Sequence, residues 1–384
     1  MSAPPAQART PDTSSPETHE TAILTIDLCA LAANYRDLVE RTRPAECAAV
    51  VKADAYGLGM AQAATVLWRT GCRTYFVATI AEAMDLRATL PAAVIYVLNG
   101  LLAGTAATFH AYNLRPVLNS ATEVRDWAAY CTHAHEALPC AVHLDTGMNR
   151  LGLTAADIDD IRGIADLWQT VALSLVMSHL ACADDHTHAK NAQQRARFDA
   201  LRAMFPEATT SLANSAGILL GREYHYDMVR PGVALYGGHP QRQGDNPFRS
   251  VVNLMGRILQ IRNGEEGETV GYGATRTLGR PTRIAVVSAG YADGLFRALS
   301  AADGETGLTA YLGPYAAPIL GRVSMDLISV DVTDVPEPFC QRGAWVELLG
   351  PNVSAHTMAA QAGTIDYEVL TSLGNRASRR YVGS

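Results

Sequence analysis

The 384-residue chain is notable first for what it lacks. It has no Lys/Arg-rich tract, and its net charge is −7 with the two signs mixed along the chain. A nucleic-acid partner, which needs a concentrated positive surface, is therefore not expected. No apolar run reaches the ~18–20 residues that span a bilayer, so no membrane partner is expected either. The first twenty residues are rich in Pro, Ser, Thr and Ala and carry no apolar h-region, so they read as a disordered tail rather than a secretory signal. Seven cysteines (Cys29, Cys47, Cys72, Cys131, Cys140, Cys182 and Cys340) are scattered, odd in number and form no C-x-x-C pair. That usage fits reduced thiols and a cytoplasmic location better than a disulfide framework or a zinc site. No H-E-x-x-H is present, and no G-x-G-x-x-G opens a helix. Neither a metal nor a dinucleotide is expected.

What is present points to a globular protein of about two domains. Apolar residues make up 48% of the chain and charged residues 18%, enough for a sizeable core. From about residue 27 to 236, short apolar or β-branched runs alternate with helical patterns. Asp27–Arg41 reads as a helix capped by Asp27. Eight strands follow, at Ala48–Ala53, Thr74–Thr79, Ala93–Leu98, Arg115–Asn119, Ala141–Asp145, Leu173–His179, Thr210–Ala213 and Asp227–Arg230. Ala61–Thr70, Ile80–Thr89, Ser120–Tyr130 and Gln193–Met204 read as helices between them. Eight alternations indicate an α/β fold with an N-terminal (β/α)8 TIM-type barrel; a doubly wound open sheet is the alternative. After about residue 250 the texture becomes mostly β, with strands at Val251–Arg262, Arg283–Ala289, Leu308–Leu312, Ala317–Val332 and Trp345–Leu349, and a helix at about Ser354–Ala362. The expected organisation is a tail over 1–20, a barrel over 21–245 and a C-terminal β domain over 246–384, with Pro240–Pro247 as the linker.

The residues that carry chemistry fall at the ends of the barrel strands. Lys52 lies in Val50-Val-Lys-Ala-Asp-Ala-Tyr-Gly-Leu-Gly59, where strand ends face the active-site mouth of a barrel. A dry setting lowers an amine's pKa, as a Schiff-base lysine requires. Position alone does not separate this from a surface lysine at a strand end. Arg150, in His143-Leu-Asp-Thr-Gly-Met-Asn-Arg-Leu-Gly152, can clamp a carboxylate or form a surface salt bridge. His179, in Met177-Ser-His-Leu180, is either structural or stacked on a flat ring. Asp184, Asp185, His186 and His188 lack zinc spacing and read as a solvated loop. Asn214-Ser-Ala-Gly217 and Val229-Arg-Pro-Gly-Val233 follow strands seven and eight, where barrels of this kind commonly bind phosphate; Ser215, Gly232 and Val233 supply hydroxyl and N–H donors there.

Together these strings resemble the alanine racemase family. VVKADAYGLG, LDTGMNRLG, MSHLACAD, NSAG and MVRPGVALYG occur in the expected order, followed by Gly271-Tyr-Gly-Ala-Thr275, Gly290-Tyr-Ala-Asp-Gly294 and Gly321-Arg-Val-Ser-Met-Asp326. The resemblance covers nearly the whole chain. It implies a pyridoxal 5'-phosphate (PLP) enzyme that interconverts L- and D-alanine for peptidoglycan synthesis, working as a homodimer with shared active sites. It further implies that Lys52 is the PLP lysine and one base, and that Tyr272 is the other base. Read without it, Tyr272 is a turn tyrosine. Arg150 and Met325 match positions that hold the substrate carboxylate, and Tyr291 matches a tyrosine at the substrate entrance. Tyr56, Ser215, Gly232 and Val233 match phosphate contacts, His179 the histidine beside the cofactor ring, and Arg230 the partner of the pyridine nitrogen. Two positions depart from the pattern. His143 stands where many members carry a carbamylated lysine that positions the clamp arginine, so another group must orient Arg150. Asn375 stands where some members place a tyrosine that reaches the pocket, which opens the question of substrate breadth. A broader amino-acid racemase is the runner-up. The Gly-Tyr-Gly-Ala-Thr run argues against a basic-amino-acid decarboxylase, and the residues after about 250 argue against a single-barrel PLP-binding protein.

Overall fold

The computed structural model describes residues 19–383, so most of the tail expected over 1–20 lies outside the described residues. The chain divides into two compact units. One is Leu31–Arg249; the other takes the residues up to Ala30 together with those from Ser250 onward.

In Leu31–Arg249, seven short strands lie side by side in chain order. They are Ala49–Val50, Thr74–Val77, Val94–Val97, Arg115–Leu118, Pro139–His143, Ala172–Met177 and Thr209–Ser211. Every neighbouring pair is parallel, so each connection must cross over, and helices make most of these crossings. Capping residues set where those helices begin. Thr79 and Glu82 form a reciprocal capping box that starts Ile80–Thr89, and Ser120 accepts from the Glu123 N–H to start Ala121–Ala134. The strands carry the core: Tyr75, Phe76, Val97, Leu118, Val142 and Leu175 are all buried.

An eighth strand, Met228–Val229, is only two residues long, yet it bonds on both sides. Toward the first strand it pairs in parallel with Glu46–Cys47, and Val229 O accepts from the Ala48 N–H at 3.0 Å. Toward the seventh, the Asp227 N–H donates to Thr210 O (3.1 Å) and the Arg230 N–H to Ala213 O (2.9 Å). The ring therefore closes and leaves no open strand edge, as a barrel requires. The expected first strand is shorter than its apolar run: it stops at Val50, and Lys52 opens a turn.

The other unit contains a closed antiparallel ring. Thr282–Ser288, Leu327–Asp331, Tyr315–Leu320, Thr309–Leu312, Trp345–Leu349 and Val252–Gly264 are neighbours in that order, and the last pairs back to the first. The expected strand Ala317–Val332 is two strands, interrupted by a loop over 321–326. A further correction concerns residues 21–30, expected to open the barrel. Ala22–Asp27 instead pairs antiparallel with Val252–Gly264 and parallel with Ser378–Val382, in the β unit. The helix that follows, Leu28–Thr42, begins as expected, with Asp27 Oδ1 accepting from the Ala30 N–H.

The strand Ser378–Val382 is the last in its sheet and, among the described residues, pairs only with Ala22–Asp27. A chain ending at Ala377 is expected to melt at a lower temperature than the intact chain, followed by circular dichroism. An unchanged midpoint would mean that this pairing does not hold Ala22–Asp27 in the sheet.

Candidate active site

Lys52 is half-buried and sits just after the first barrel strand. The four residues that follow it, Ala53, Asp54, Ala55 and Tyr56, all have left-handed backbone angles, with φ of 52°, 54°, 55° and 57°. A left-handed turn of L-residues costs roughly 1–2 kcal/mol per residue, because each Cβ crowds its own carbonyl. Hydrogen bonds to carboxylates, each worth about 1.5–3 kcal/mol, offset part of that cost. Glu82 Oε1 accepts from the Ala53 N–H at 2.6 Å, and Asp54 Oδ1 accepts from the Met60 N–H at 2.7 Å. Strain of this kind concentrates at functional sites. Burial depresses the Lys52 pKa, the Arg150 charge depresses it further, and Glu82 acts in the opposite sense. The amine is thus easier to deprotonate than a surface lysine's.

Tyr56, at the end of that turn, is buried and stacked on Tyr236 with ring centroids 4.7 Å apart; the Tyr236 hydroxyl donates to Val50 O at 3.0 Å. Its own hydroxyl lies against Gly232. A Cβ added at Gly232 would sit 2.0 Å from the Tyr56 oxygen, so only glycine fits. Ser215 Oγ accepts from the N–H groups of Gly232 (2.8 Å) and Ala234 (3.3 Å), which leaves its own O–H to donate outward. Val233 heads the 3-10 turn Val233–Tyr236 beside them. Tyr56, Ser215, Gly232 and Val233 therefore form one small cradle of hydroxyl and backbone groups, a setting suited to a phosphate.

Five basic side chains share this mouth. Arg230 is buried; its guanidinium donates to Ser178 O at 2.6 Å and to Ser211 Oγ. Among the described residues no carboxylate pairs with it, and burial lowers its pKa to about 9, which leaves it protonated at neutral pH. Burial, then the charges of Arg230 and Arg150, hold His179 well below the ordinary imidazole range; its Nε2 lies 3.4 Å from Asn214 Nδ2. His143 is buried and pushed down to about 4, by burial first and then by Arg230 and Arg150. Its tautomer is fixed by Asn119. The Asn119 amide nitrogen donates to Val117 O (2.8 Å) and Leu98 O (3.3 Å), so Asn119 Oδ1 must accept from His143 Nδ1 at 2.9 Å. The Nε2 of His143 is then an acceptor with no partner among the described residues. Arg150 itself is exposed, on a loop built by Asp145, whose Oδ1 accepts from the N–H groups of Gly147, Met148 and Asn149. Lys52, His143, Arg150, His179 and Arg230 thus gather positive charge and neutral imidazoles around an amine that ionises easily. An anion bearing an aldehyde is the chemical class that such a mouth accommodates. Asp184 and Asp185, read as part of a solvated loop, pair with Arg242 and Thr187.

In the β unit, Tyr272, Tyr291 and Met325 are all exposed, at 73%, 45% and 52%. They stand on one scaffold, the loop over 321–326. The Tyr291 N–H donates to Ser324 O (3.0 Å) and the Ala292 N–H to Met325 O (3.1 Å). A Cβ at Gly290 would lie 2.3 Å from Met325 O, so glycine permits this approach. Tyr272 opens the 3-10 turn Tyr272–Ala274, whose Gly273 packs on the Arg322 guanidinium. Arg376 locks the group: its Nε donates to Asp293 Oδ1 at 2.7 Å, and its other nitrogens reach Asp293, Asp326 and Met325 O.

The profile for the alanine racemase N-terminal domain matches residues 26–240, and that for the alanine racemase C-terminal domain matches residues 251–381. The chain belongs to the alanine racemase family. An alanine racemase of Methylobacterium sp. (strain 4-46) is 49% identical, over 94% of this chain and 98% of the relative. An alanine racemase of Rhodospirillum rubrum is 47% identical, over 96% and 97%. Among solved structures, alanine racemase from Bartonella henselae, crystallised with covalently bound pyridoxal phosphate, superposes with a TM-score of 0.89 at 40% identity, covering 94% of this chain and 99% of that one. Against the alanine racemase pattern His143 is a neutral, hydrogen-bonded imidazole, and Asn375 is exposed beside Arg376.

Sequence reasoning missed Glu82, Asn119 and Arg376. Thr79-x-x-Glu82 is visible as a capping signal, but its contact with Ala53 is not; Asn119 and Arg376 act across separations that no spacing reveals.

Two substitutions test this geometry. Gly232→Ala forces a methyl against Tyr56, whose ring is held by Tyr236, and is expected to destabilise the fold by about 1–3 kcal/mol in urea unfolding. A neutral cost would show that the cradle can open. For His143 the sign is set by a folded pKa of about 4, below the unfolded value near 6.5. The unfolded chain binds the extra proton, so His143 causes stability to fall as pH drops through that window, by about a few kcal/mol. His143→Gln is expected to flatten this slope; an identical slope in both proteins would mean that His143 is not held neutral.

Proposed function

We propose that this chain is a PLP-dependent alanine racemase, an isomerase that interconverts L- and D-alanine with Lys52 and Tyr272 as its two bases. The observation that carries the reading is the half-buried, pKa-lowered Lys52 beside a cradle shaped for phosphate, in a chain that matches both alanine racemase domains. When bound, PLP supplies an aldehyde for the amine and a conjugated ring that acidifies the substrate α-carbon. Lys52 would hold it, and Tyr56, Ser215, Gly232 and Val233 would hold its phosphate. Arg230, protonated but buried, would serve as the partner of the ring nitrogen, and His179 would help to hold the ring. Arg150 and Met325 position the substrate carboxylate, and Tyr291 lines its entrance.

Racemisation removes the α-proton from one face and returns one to the other. Two bases on opposite faces do this without turning the substrate over. Lys52 Nζ takes or gives the proton on one face and the Tyr272 hydroxyl on the other. The exposure of Tyr272, Tyr291 and Met325 supports a homodimer in which a second copy covers these residues, with each active site shared. Seven free thiols support a cytoplasmic protein, and supply of D-alanine for peptidoglycan is the role that follows. A racemase with broader substrate range is the second reading, favoured by Asn375 in place of a pocket tyrosine.

Purified protein is expected to show the visible absorption of lysine-bound PLP and to convert L-alanine to D-alanine. Absence of both sinks the proposal, and comparable turnover of serine, lysine or arginine selects the second reading. Tyr272→Phe is expected to abolish α-proton exchange from one enantiomer far more than from the other; equal loss from both contradicts the two-base assignment.

A further inference from the structure

We propose that Glu82 is a positioning residue for Lys52, its carboxylate holding the left-handed turn that aims the amine. The inference rests on Lys52 being the PLP lysine. Ala53 is the first left-handed residue after Lys52, and its N–H is bound by Glu82 Oε1 at 2.6 Å. The other oxygen, Oε2, accepts from the N–H groups of Ala78 (2.8 Å) and Thr79 (3.1 Å), just beyond the second strand. One carboxylate therefore bridges the ends of two adjacent parallel strands. The strands themselves are joined at this level by the Val51 N–H, which donates to Phe76 O at 2.9 Å. Without the bridge, four non-glycine residues in a row, Ala53, Asp54, Ala55 and Tyr56, lose the bond that starts their turn and are free to relax toward right-handed or extended backbone. That relaxation swings the Lys52 side chain, which is anchored at the first residue of the turn. Glu82 touches no reacting atom; beside its charge, which opposes the lowering of the Lys52 pKa, it acts through the backbone.

A glutamine at this position separates the two duties of the carboxylate. Two N–H donors face Oε2 and one faces Oε1. The amide of Glu82→Gln places its single carbonyl oxygen toward Ala78 and Thr79, and its NH2 then confronts the Ala53 N–H, donor against donor. The cap of Ile80–Thr89 survives while the contact to the turn is lost. Ala53 is exposed, and glycine adopts left-handed angles without the Cβ penalty. Ala53→Gly therefore removes part of the need for Glu82.

The test uses the PLP-loaded enzyme in three forms: wild type, Glu82→Gln, and Glu82→Gln with Ala53→Gly. Glu82→Gln is expected to lower kcat about tenfold with KM changed by less than about twofold, since substrate-binding groups lie elsewhere. Hydrogen exchange read by mass spectrometry over residues 51–59 is expected to speed up in Glu82→Gln with the rest of the barrel unchanged. The double variant is expected to recover most of the lost kcat. A Glu82→Gln enzyme with wild-type kcat and wild-type exchange over 51–59 overturns the inference, and so does a loss that glycine at position 53 does not repair. A wild-type protein that neither binds PLP nor racemises alanine would instead overturn the functional reading.

Discussion

The mouth of the barrel depends on a buried cation that has no carboxylate partner among the described residues. Arg230 enters from the eighth strand and donates to Ser178 O and Ser211 Oγ, at the ends of the sixth and seventh. Removing a guanidinium from water costs several kcal/mol, and neutral acceptors recover only part of it. Those acceptors are fixed in turn. Ser178 Oγ donates to Leu144 O and bonds Thr146, which accepts from Gln194; Ser211 Oγ donates to Met228 O. One charge thus joins four strand ends through hydroxyls and carbonyls. Burial keeps His143 and His179 neutral, and the same charge reinforces this, because a second cation beside it would be unfavourable.

This positive, partly dehydrated environment fits the proposed chemistry. It favours an anionic ligand and leaves Lys52 readier to lose its proton. The site stores a second cost in the left-handed turn from Ala53 to Tyr56. The turn directly follows Lys52, and Arg230 stands at the same mouth, while the strands behind them are short and largely buried. The barrel unit therefore divides its work: a well-packed ring supplies stability, and the loops at its mouth hold unfavourable charge and unfavourable backbone where a ligand can use them.

Much of the fold was legible because local rules and tertiary packing agree. Ile80–Thr89 begins where Thr79 and Glu82 mark a cap, and the apolar runs at Thr74, Val94, Arg115 and Trp345 become strands with small changes in length. Legibility failed where a distant partner decides. Ala22–Asp27 alternates as any strand does, but its partners lie more than two hundred residues away, so nothing local assigns it to the β unit. The turn after Lys52 was also hidden, since Ala-Asp-Ala carries no glycine to announce positive φ; only Gly57 and Gly59 hinted at a tight loop. In the site, Lys52, Arg150, Ser215 and Gly232 stood out from strand-end position and residue chemistry. Tyr272 emerged only through family resemblance, because an exposed turn tyrosine has no local signature of a base.

Everything in the proposed chemistry turns on Lys52 as the residue that carries the cofactor. Lys52 and Lys190 are the only lysines in the chain, so the attachment point is directly decidable. Borohydride reduction of the PLP-loaded protein fixes the amine–aldehyde linkage, and peptide mapping by mass spectrometry locates it. A single pyridoxyl group on Lys52 is expected. A label on Lys190, or no label in a protein that nevertheless racemises alanine, would contradict it.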